Sequence, residues 1–522
     1  MRLKFKIYLL GLLLFSAAAA QTDGSQYIDL VANPAYPYTS DVWGYIDSSG
    51  HEFAVFGVYD GVVILDISTD PANPVETAHI IGPNSSWRDL KTHGNYLYVT
   101  NESGGGLAII DLSDPWQPVL ATRDSTFFQQ AHNLYIADGY AYIVGSGTPG
   151  ILILDLANPV NPVWAGSWTT RGIHDLYVKN DTLYACAIGD GDLYILDVQD
   201  KSDIQTLAVL DYDTYGTHSV WTTDDSRFII TMDEKEGGHI KFWDALDYAN
   251  ITLAGEYEVG NDRSVHNAFV KGDLLFVSYY VYGTRIVDIS DPYNPKEVAY
   301  YDFHPGSFGL YHGNWGVFPL TKSGLVFSTS MSGEGFFVLS PYPAYFDHEV
   351  PGETEDLASP LPIAVTVTEY ADYPLDLSTM RVISGLEGVY TDTTQLSGSG
   401  APIVFTGELP NPGQPGNLTY YFTLQNQAGR IIRSPVGALD TSHSFYIGPF
   451  DLGQNYPNPF NLQTTIQFAL PVATDITILV YDLLGREVVR LIDGFREPGY
   501  QQVVWNGRTG TGKAVPSGIY IA

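Results

Sequence analysis

A short apolar run that ends in aspartate recurs along the first two-thirds of the chain and constrains its fold more than any other feature. Seven segments carry the pattern, the last in degenerate form: Gly61–Asp66, Gly106–Asp111, Gly150–Asp155, Asp192–Asp197, His239–Asp244, Thr284–Asp288 and Gly335–Leu339. Apolar runs of this length, bounded by Gly, Pro and Asp, predict β-strands. Repeats of roughly 40–45 residues with four strands each predict an all-β fold, the β-propeller.

The seventh repeat lacks one strand. It begins at Trp315 and stops after its third strand at Leu339, whereas Tyr27–Val31 precedes the first repeat and has no partner of its own. We therefore predict that this early segment supplies the missing fourth strand and closes a seven-bladed ring over residues 25–345. A ring closed in this way leaves no open sheet edge.

A second recurrence concerns one position in each repeat, at intervals of roughly 42–49 residues. The residues at this position are Trp43, Arg88, His132, His174, His218, His266 and Trp315. The innermost strand of each blade begins here, so we expect these side chains to converge on one mouth of the central channel. Because blade strands are antiparallel, the turns between second and third strands lie at the same mouth and bring Glu102 and Glu234 there.

Three interpretations of this mouth stay open. Neutral imidazole is a common ligand of copper, zinc and iron, and the candidate metal ligands are His132, His174, His218 and His266. The candidate contacts for an organic ligand are Trp43, Arg88, Trp315, Glu102, Glu234 and Tyr279. In the third interpretation, each histidine bonds the backbone of a neighbouring blade and only stabilises the ring. The acidic composition also favours weak calcium binding, although no segment has the EF-hand spacing.

The composition predicts an exported protein. The 522 residues carry 25 basic and 59 acidic side chains, a formal net charge of −34, which repels nucleic acid and argues against it as a partner. The single cysteine, Cys186, excludes an intrachain disulfide. A basic start, an apolar run over Ile7–Phe15 and three alanines at 18–20 predict a signal peptide over residues 1–20. No later run is long enough to span a bilayer, so we expect no transmembrane segment.

The repeats resemble a known family. The pattern Gly-x-x-Ile-Leu-Asp-Ile-Ser-x-Asp-Pro-x-Asn-Pro-Val is similar to the LVIVD repeat. The stretches Trp87–Thr92, Ser264–Asn267, Val277–Tyr280 and Arg285–Pro292 further resemble secreted bacterial propellers of the choice-of-anchor B family. That resemblance implies a propeller outside the cytoplasm, with a C-terminal device that differs between members and attaches them to the cell.

The composition changes beyond Pro341. Residues 346–447 contain alternating runs, among them Ile363–Thr368 and Leu418–Leu424, and predict a fibronectin-III-like or Ig-like β-sandwich. Residues 450–522 read as a small β-sandwich. Their stretches Leu452–Asn461 and Ile478–Val488 resemble the C-terminal sorting domain of the type IX secretion system. This resemblance implies a Gram-negative bacterium, the type IX machinery as partner, and a product that is attached to the cell surface or released.

The sequence therefore favours a secreted binding or interaction module with an unidentified extracellular ligand at the axial mouth. The alternative is a metal-dependent enzyme that uses the four histidines as ligands. In that case Glu102 or Glu234 would carry protons beside the metal.

Overall fold

The computed structural model describes residues 25–522 apart from 146, 149, 213–214, 261–262, 304–308, 342–343, 353, 370–374, 401–402, 428–430, 435–441, 472–473 and 497. The predicted signal peptide, residues 1–20, lies outside the described residues. The chain forms two compact units, and the boundary between them lies after Pro341. The regular structure of the described part consists of strands. A search of the same residues finds no helix with the length and apolarity needed to cross a membrane.

The first unit contains seven sheets among its described residues, which we number in chain order. The two earliest strands, β1 (Ser25–Gln26) and β2 (Ile28–Ala32), join later sheets. Sheet 1 contains β3 (Thr39–Ile46), β4 (Glu52–Val58), β5 (Gly61–Asp66) and β6 (Val75–Ile81). Sheet 2 contains β7 (Arg88–His93), β8 (Tyr96–Asn101), β9 (Leu107–Asp111) and β10 (Val119–Asp124). Sheet 3 contains β11 (Asn133–Ala137), β12 (Tyr140–Val144), β13 (Ile151–Asp155) and β14 (Val163–Trp168).

The remaining four sheets repeat this order. Sheet 4 contains β15 (Asp175–Lys179), β16 (Thr182–Ala187), β17 (Asp192–Asp197) and β18 (Gln205–Asp211). Sheet 5 contains β19 (Thr217–Thr222), β20 (Phe228–Asp233), β21 (Ile240–Asp244) and β22 (Thr252–Tyr257). Sheet 6 contains β23 (Ala268–Lys271), β24 (Leu274–Ser278), β25 (Thr284–Asp288) and β26 (Lys296–Tyr301), with β1 added beside β26. Sheet 7 contains β27 (Asn314–Phe318), β28 (Val326–Ser330), β29 (Gly335–Pro341) and β2.

Burial explains why the recurrent run reads as continuously apolar. The third strand of sheet 1, β5, is buried at every position, whereas the outer strand β6 is largely exposed or half-buried. Neighbouring sheets cover both faces of the inner strands, so alternation between apolar and polar residues disappears there. Side chains of adjacent sheets form shared cores, for example Phe53 and Ile64 of sheet 1 with Leu90 and Ile110 of sheet 2. Each such side chain contributes about 1.5–3 kcal/mol when fully buried.

The aspartate that ends each run stabilises a turn. In six sheets its Oδ1 accepts a hydrogen bond from the backbone N–H two residues later, at 2.7–3.2 Å. This is the side-chain turn that aspartate forms readily. The recurrent carboxylates therefore have a structural role at the ends of third strands, and the degenerate seventh run ends at Pro341 without one.

The innermost strands of the seven sheets follow one another around a ring. Each one, from β3 to β27, contacts the next, and β27 contacts β3 again. β2 pairs antiparallel with β29 through Ile28–Pro341 and Leu30–Leu339, which is the strand pairing that the sequence predicts. One feature was not predicted: β1 also pairs with β26, so the two early strands complete two different sheets.

The second unit contains four sheets among its described residues. The first sheet has the order β30 (Ala344–Asp347), β31 (Leu361–Glu369), β35 (Ile403–Leu409), β34 (Ser397–Ser399). The second has the order β33 (Val389–Gln395), β32 (Leu375–Leu386), β36 (Gly416–Asn426), β37 (Ile431–Ser434), with β38 (His443–Ile447) also on β36. The two last sheets are β39 (Asp451–Leu452), β40 (Thr464–Leu470), β43 (Gly499–Trp505) and β42 (Glu487–Arg496), β41 (Thr474–Asp482), β44 (Tyr520–Ile521). Because β30 pairs with β31, residues 344–345 lie in this unit.

Candidate functional site

Four imidazoles lie side by side at the start of the innermost strands of sheets 3 to 6. We call His132, His174, His218 and His266 the imidazole arc. Neighbouring ring centroids are 4.2, 4.5 and 4.5 Å apart along it, and the indole of Trp315 continues the series at 4.1 Å from His266. The repeat therefore brings the four predicted metal ligands together, as the sequence indicates.

Hydrogen bonds fix two of these rings. His266 Nδ1 donates to the backbone oxygen of Trp315 at 2.7 Å, and His132 Nδ1 lies 2.7 Å from Glu102 Oε1. A carbonyl and a carboxylate oxygen accept only, so Nδ1 carries a proton in both rings, and in the neutral form of each ring Nε2 presents a lone pair. Carboxylates and carbonyls orient metal-binding histidines in this way. The bond from His132 also lowers the pKa of Glu102.

Three ring nitrogens of the arc are buried and have no hydrogen-bond partner among the described residues. They are His174 Nε2, His218 Nδ1 and His266 Nε2. His218 and His266 are each only 2% exposed. A buried polar atom without a partner costs about 1–3 kcal/mol, so a protein that keeps three of them needs a reason.

His174 and His266 are uncharged at neutral pH. Burial is the main cause that lowers the pKa of His174 and of His266 well below the ordinary value, and the neighbouring imidazoles lower it further. A neutral imidazole is the form that binds a metal ion.

Glu234 joins the arc from the turn after β20. Its Oε2 lies 3.7 Å from His218 Nε2, and its Oε1 accepts a hydrogen bond from the hydroxyl of Tyr280. Two sets of residues place one ligand atom each within 4.8 Å of the others. They are His132, His174, His218 and, separately, His218, Glu234, His266.

Arg88 is near the arc but its guanidinium is already bonded. It donates to the backbone oxygens of Val58, Tyr59 and Pro83 and is 3% exposed. Burial and the nearby Arg123 lower the pKa of Arg88 to about 10. These bonds link sheet 2 to sheet 1, and few N–H donors of Arg88 remain for an anionic ligand.

Trp43 does not lie with the imidazoles. Its ring is 4.7 Å from that of Phe318 and 5.8 Å from that of Phe269, and its Nε1 donates to Thr92. Phe318 and Phe269 each follow the recurrent position by three residues, so the equivalent residue of sheet 1 is Ser40. The spacing of the repeats varies and does not fix the register of sheet 1, whereas the local sequence Ser40–Trp43 aligns with His132–Tyr135.

Tyr279 also lies elsewhere. It is fully buried in the core between sheets 5 and 6, and its hydroxyl donates to the backbone oxygen of Gly238 at 3.2 Å. The next residue, Tyr280, takes the predicted place, with its ring 5.2 Å from His266. Strand alternation could not choose between the two tyrosines because β24 ends at Ser278.

Below the arc lies a polar layer that the sequence reasoning missed. Its residues follow the recurrent position by one and are Asp41, Asp89, Asn133, Asp175, Ser219 and Asn267. Lys91 Nζ donates to Asp41 Oδ2 at 3.0 Å and also to Asp89. Burial raises the pKa of Asp89 and of Asp175. The signal was present, since a small polar residue follows the recurrent position in each of these repeats.

Aromatic side chains close the channel beneath this layer. They follow the recurrent position by three, and the rings in mutual contact are Trp43, Tyr135, Tyr177, Trp221, Phe269 and Phe318. The cavity at the arc measures about 20 Å³ and the one in the polar layer about 40 Å³. Such volumes hold a water molecule or an ion. They are far below the roughly 300–1,000 Å³ of sites for organic ligands.

Comparisons with known proteins agree with the repeat assignment. The profile of the LVIVD repeat matches residues 86–126, 129–170 and 262–303. Among solved structures, the β-propeller domain of Cps50 (Swd1) from Myceliophteria thermophila aligns with 60% of this chain and 99% of its own, at 14% identity and a TM-score of 0.45. No curated protein matches the chain. The matched repeats and the ring of four-stranded sheets described above agree with the sequence prediction of a β-propeller with LVIVD repeats.

Proposed function

We propose that the chain is an exported binding module, a seven-bladed propeller whose channel mouth holds a transition-metal ion. The observation that carries this proposal is the set of three buried imidazole nitrogens without partners. Metal bound at the arc would take up such lone pairs, and its binding free energy would offset the cost of leaving these nitrogens unpaired.

The donor set favours zinc, copper or iron. Imidazole nitrogen suits these ions, whereas calcium takes six to eight oxygen ligands. The small cavities and the bonded guanidinium of Arg88 speak against an organic ligand at the arc. The structural interpretation explains His266 in part, through its bond to Trp315, but leaves the unpartnered nitrogens without a purpose.

Metal content of the full mature chain tests the proposal. Mass spectrometry after loading with zinc or copper and gel filtration should find tightly bound metal. The double variant His174→Ala/His218→Ala should lose it. The matched control is His348→Ala/His443→Ala, which removes two partly buried imidazoles from the second unit and should retain it. Absence of metal in a folded, reconstituted wild type would contradict the proposal.

One observation favours the metal-dependent enzyme as a second candidate. His132 and Glu102 lie at the open edge of the arc, with side chains 15% and 30% exposed. A catalytic metal needs an open coordination position, and a structural one does not. Azide added to cobalt-substituted protein distinguishes the two: a change in the visible spectrum indicates an open position, and an unchanged spectrum contradicts the enzyme.

Export and attachment form the remaining part of the proposal. The leader over residues 1–20, the resemblance of 450–522 to a type IX sorting domain and the choice-of-anchor B motifs support a Gram-negative surface or secreted protein. The intervening sheets of residues 346–447 would serve as a sandwich-like spacer. Fractionation of cells that express the full chain or a chain ending at residue 449 tests this. Equal export of both would contradict a sorting role.

A further inference from the structure

We infer that the mouth holds two metal ions and that His218 is a ligand of both. This inference rests on the proposed function and deepens it. It assigns Glu234 as a metal ligand, in place of the proton-carrying role that its sequence position suggested.

The donors separate into two sets with one member in common. His132, His174 and His218 form an all-nitrogen set, and His218, Glu234 and His266 form a set with one carboxylate. Metal–nitrogen distances are about 2.0–2.1 Å, so two ligands of one ion are at most about 4.2 Å apart. Within the described residues, the five donors do not gather into a single set of that size. One ion therefore cannot engage them all.

His218 is suited to the shared position because its two nitrogens face different surroundings. Nε2 lies 3.7 Å from Glu234 Oε2, whereas Nδ1 is buried without a partner among the described residues. Its ring lies between those of His174 and His266, 4.5 Å from each. His218 is only 2% exposed, so little water competes with a metal for its ring. A metal on one nitrogen also acidifies the opposite N–H, which favours a second metal there.

Glu234 is held in place for this role. The hydroxyl of Tyr280 donates to Oε1 and leaves Oε2 on the side of His218. Tyr280 adopts a backbone φ of 37°, in the left-handed region that a bulky residue seldom occupies. Local strain of this kind persists where the surroundings require the side chain at one place.

Stoichiometry in the full mature chain tests the inference, with Zn²⁺ as the probe. Titration calorimetry and mass spectrometry should give two equivalents for wild type. Glu234→Gln and His132→Ala/His174→Ala should each retain one, and His218→Ala should retain none. Glu102→Gln is the matched control for Glu234→Gln, because Glu102 belongs to neither set; it should keep two equivalents with affinity lowered about 10-fold. Circular dichroism establishes that each variant is folded.

The remaining outcomes are distinct. One equivalent in wild type would overturn the second site and leave the proposed function standing. No metal would overturn both. Two equivalents in wild type with one retained in folded His218→Ala would overturn the shared ligand.

Discussion

The two halves of the channel mouth are built from the same repeat but use it differently. In sheets 3 to 6 the recurrent position holds imidazoles, and three of their nitrogens are left without partners among the described residues. Sheets 7, 1 and 2 hold no imidazole at this position. The backbone oxygen of Trp315 accepts a bond from His266, Arg88 donates to three backbone oxygens, and Lys91 joins Asp41 to Asp89. The equivalent residue of sheet 1 is Ser40, whose buried hydroxyl has no hydrogen-bond partner among the described residues.

This difference shows that a recurrent sequence position locates a site but does not tell which of its side chains bind a ligand. A repeated position guarantees convergence of the side chains on the axis. Whether a side chain is available to a ligand depends on how its polar atoms are satisfied. We call sheets 3 to 6 the liganding half of the mouth and sheets 7, 1 and 2 the structural half. Each prediction below tests this division, and its failure would contradict the division.

The largest effect is expected for Lys91→Met in the structural half. This change leaves Asp41 and Asp89 buried without their cation, and should lower the free energy of unfolding by about 3–5 kcal/mol at neutral pH. The loss should shrink in acid, because burial raises the pKa of Asp89 and its stranded carboxylate then takes up a proton. Chemical denaturation at pH 7 and pH 5 measures both effects. Equal stability of the variant and wild type would mean that the bonds from Lys91 to Asp41 and Asp89 are not needed for stability.

In the liganding half, His174→Leu should lower zinc affinity by more than about 100-fold, or ~3 kcal/mol. The metal-free variant should be as stable as wild type or more stable, since a buried nitrogen without a partner has been removed. Calorimetry and thermal unfolding of metal-free protein give the two values. Marked destabilisation without metal would support the structural interpretation of the histidines.

Arg88→Met should behave in the opposite way. Three backbone oxygens lose a charged donor, so the free energy of unfolding should fall by about 2–3 kcal/mol. Zinc stoichiometry should be unchanged, because the guanidinium contributes no metal ligand. Arg88→Lys, which restores charge but fewer donors, should lie between the two. Loss of metal in Arg88→Met would move this residue into the liganding half.

The smallest effect concerns imidazoles outside the propeller. His348 and His443 have ring centroids 4.2 Å apart, and burial lowers the pKa of His443 to about 4. Between pH 6.5 and 4 the unfolded chain binds a proton that the folded chain does not. Stability from this group is therefore full above pH 6.5 and is lost in acid, by about 1 kcal/mol per pH unit.

The matched variant is His443→Gln. The denaturation midpoint of this variant should rise relative to that of wild type as the pH falls from about 6.5 to about 4. Zinc should leave the difference unchanged, since His443 and His348 belong to no set of three donors among the described residues. A zinc-dependent difference would show that a buried unpartnered imidazole is enough to bind metal.

Much of this arrangement could be predicted from sequence because repeats transmit one local pattern to many places. The Gly-to-Asp runs located the third strands, and the segment Tyr27–Val31, which precedes the first repeat, predicted the strand that completes sheet 7. The spacing of the histidines predicted their convergence. These inferences need only strand patterning and the rule that sheet edges are covered.

The errors arose where tertiary detail outweighs periodicity. Because the repeat spacing varies, spacing alone placed Trp43 at the recurrent position, which Ser40 occupies three residues earlier. The end of β24 before the tyrosine pair removed the alternation that would have distinguished Tyr280 from Tyr279. Sequence also could not indicate that Arg88 is bonded to backbone oxygens of the preceding sheet, since backbone acceptors leave no trace in residue identity.

The pairing of β2 with β29 has a consequence for the order of assembly. Asn33 donates to the backbone oxygen of Phe336, 303 residues later in the chain. The first strands of the unit therefore cannot form their native contacts until the last strands are present. The entropic cost of joining such distant segments falls on the final step, when the other sheets already hold the ends near each other. A chain that is translocated in an extended state would therefore keep its ring open until residue 341 has emerged. Under that condition, a propeller that lacks its last strand cannot close its ring.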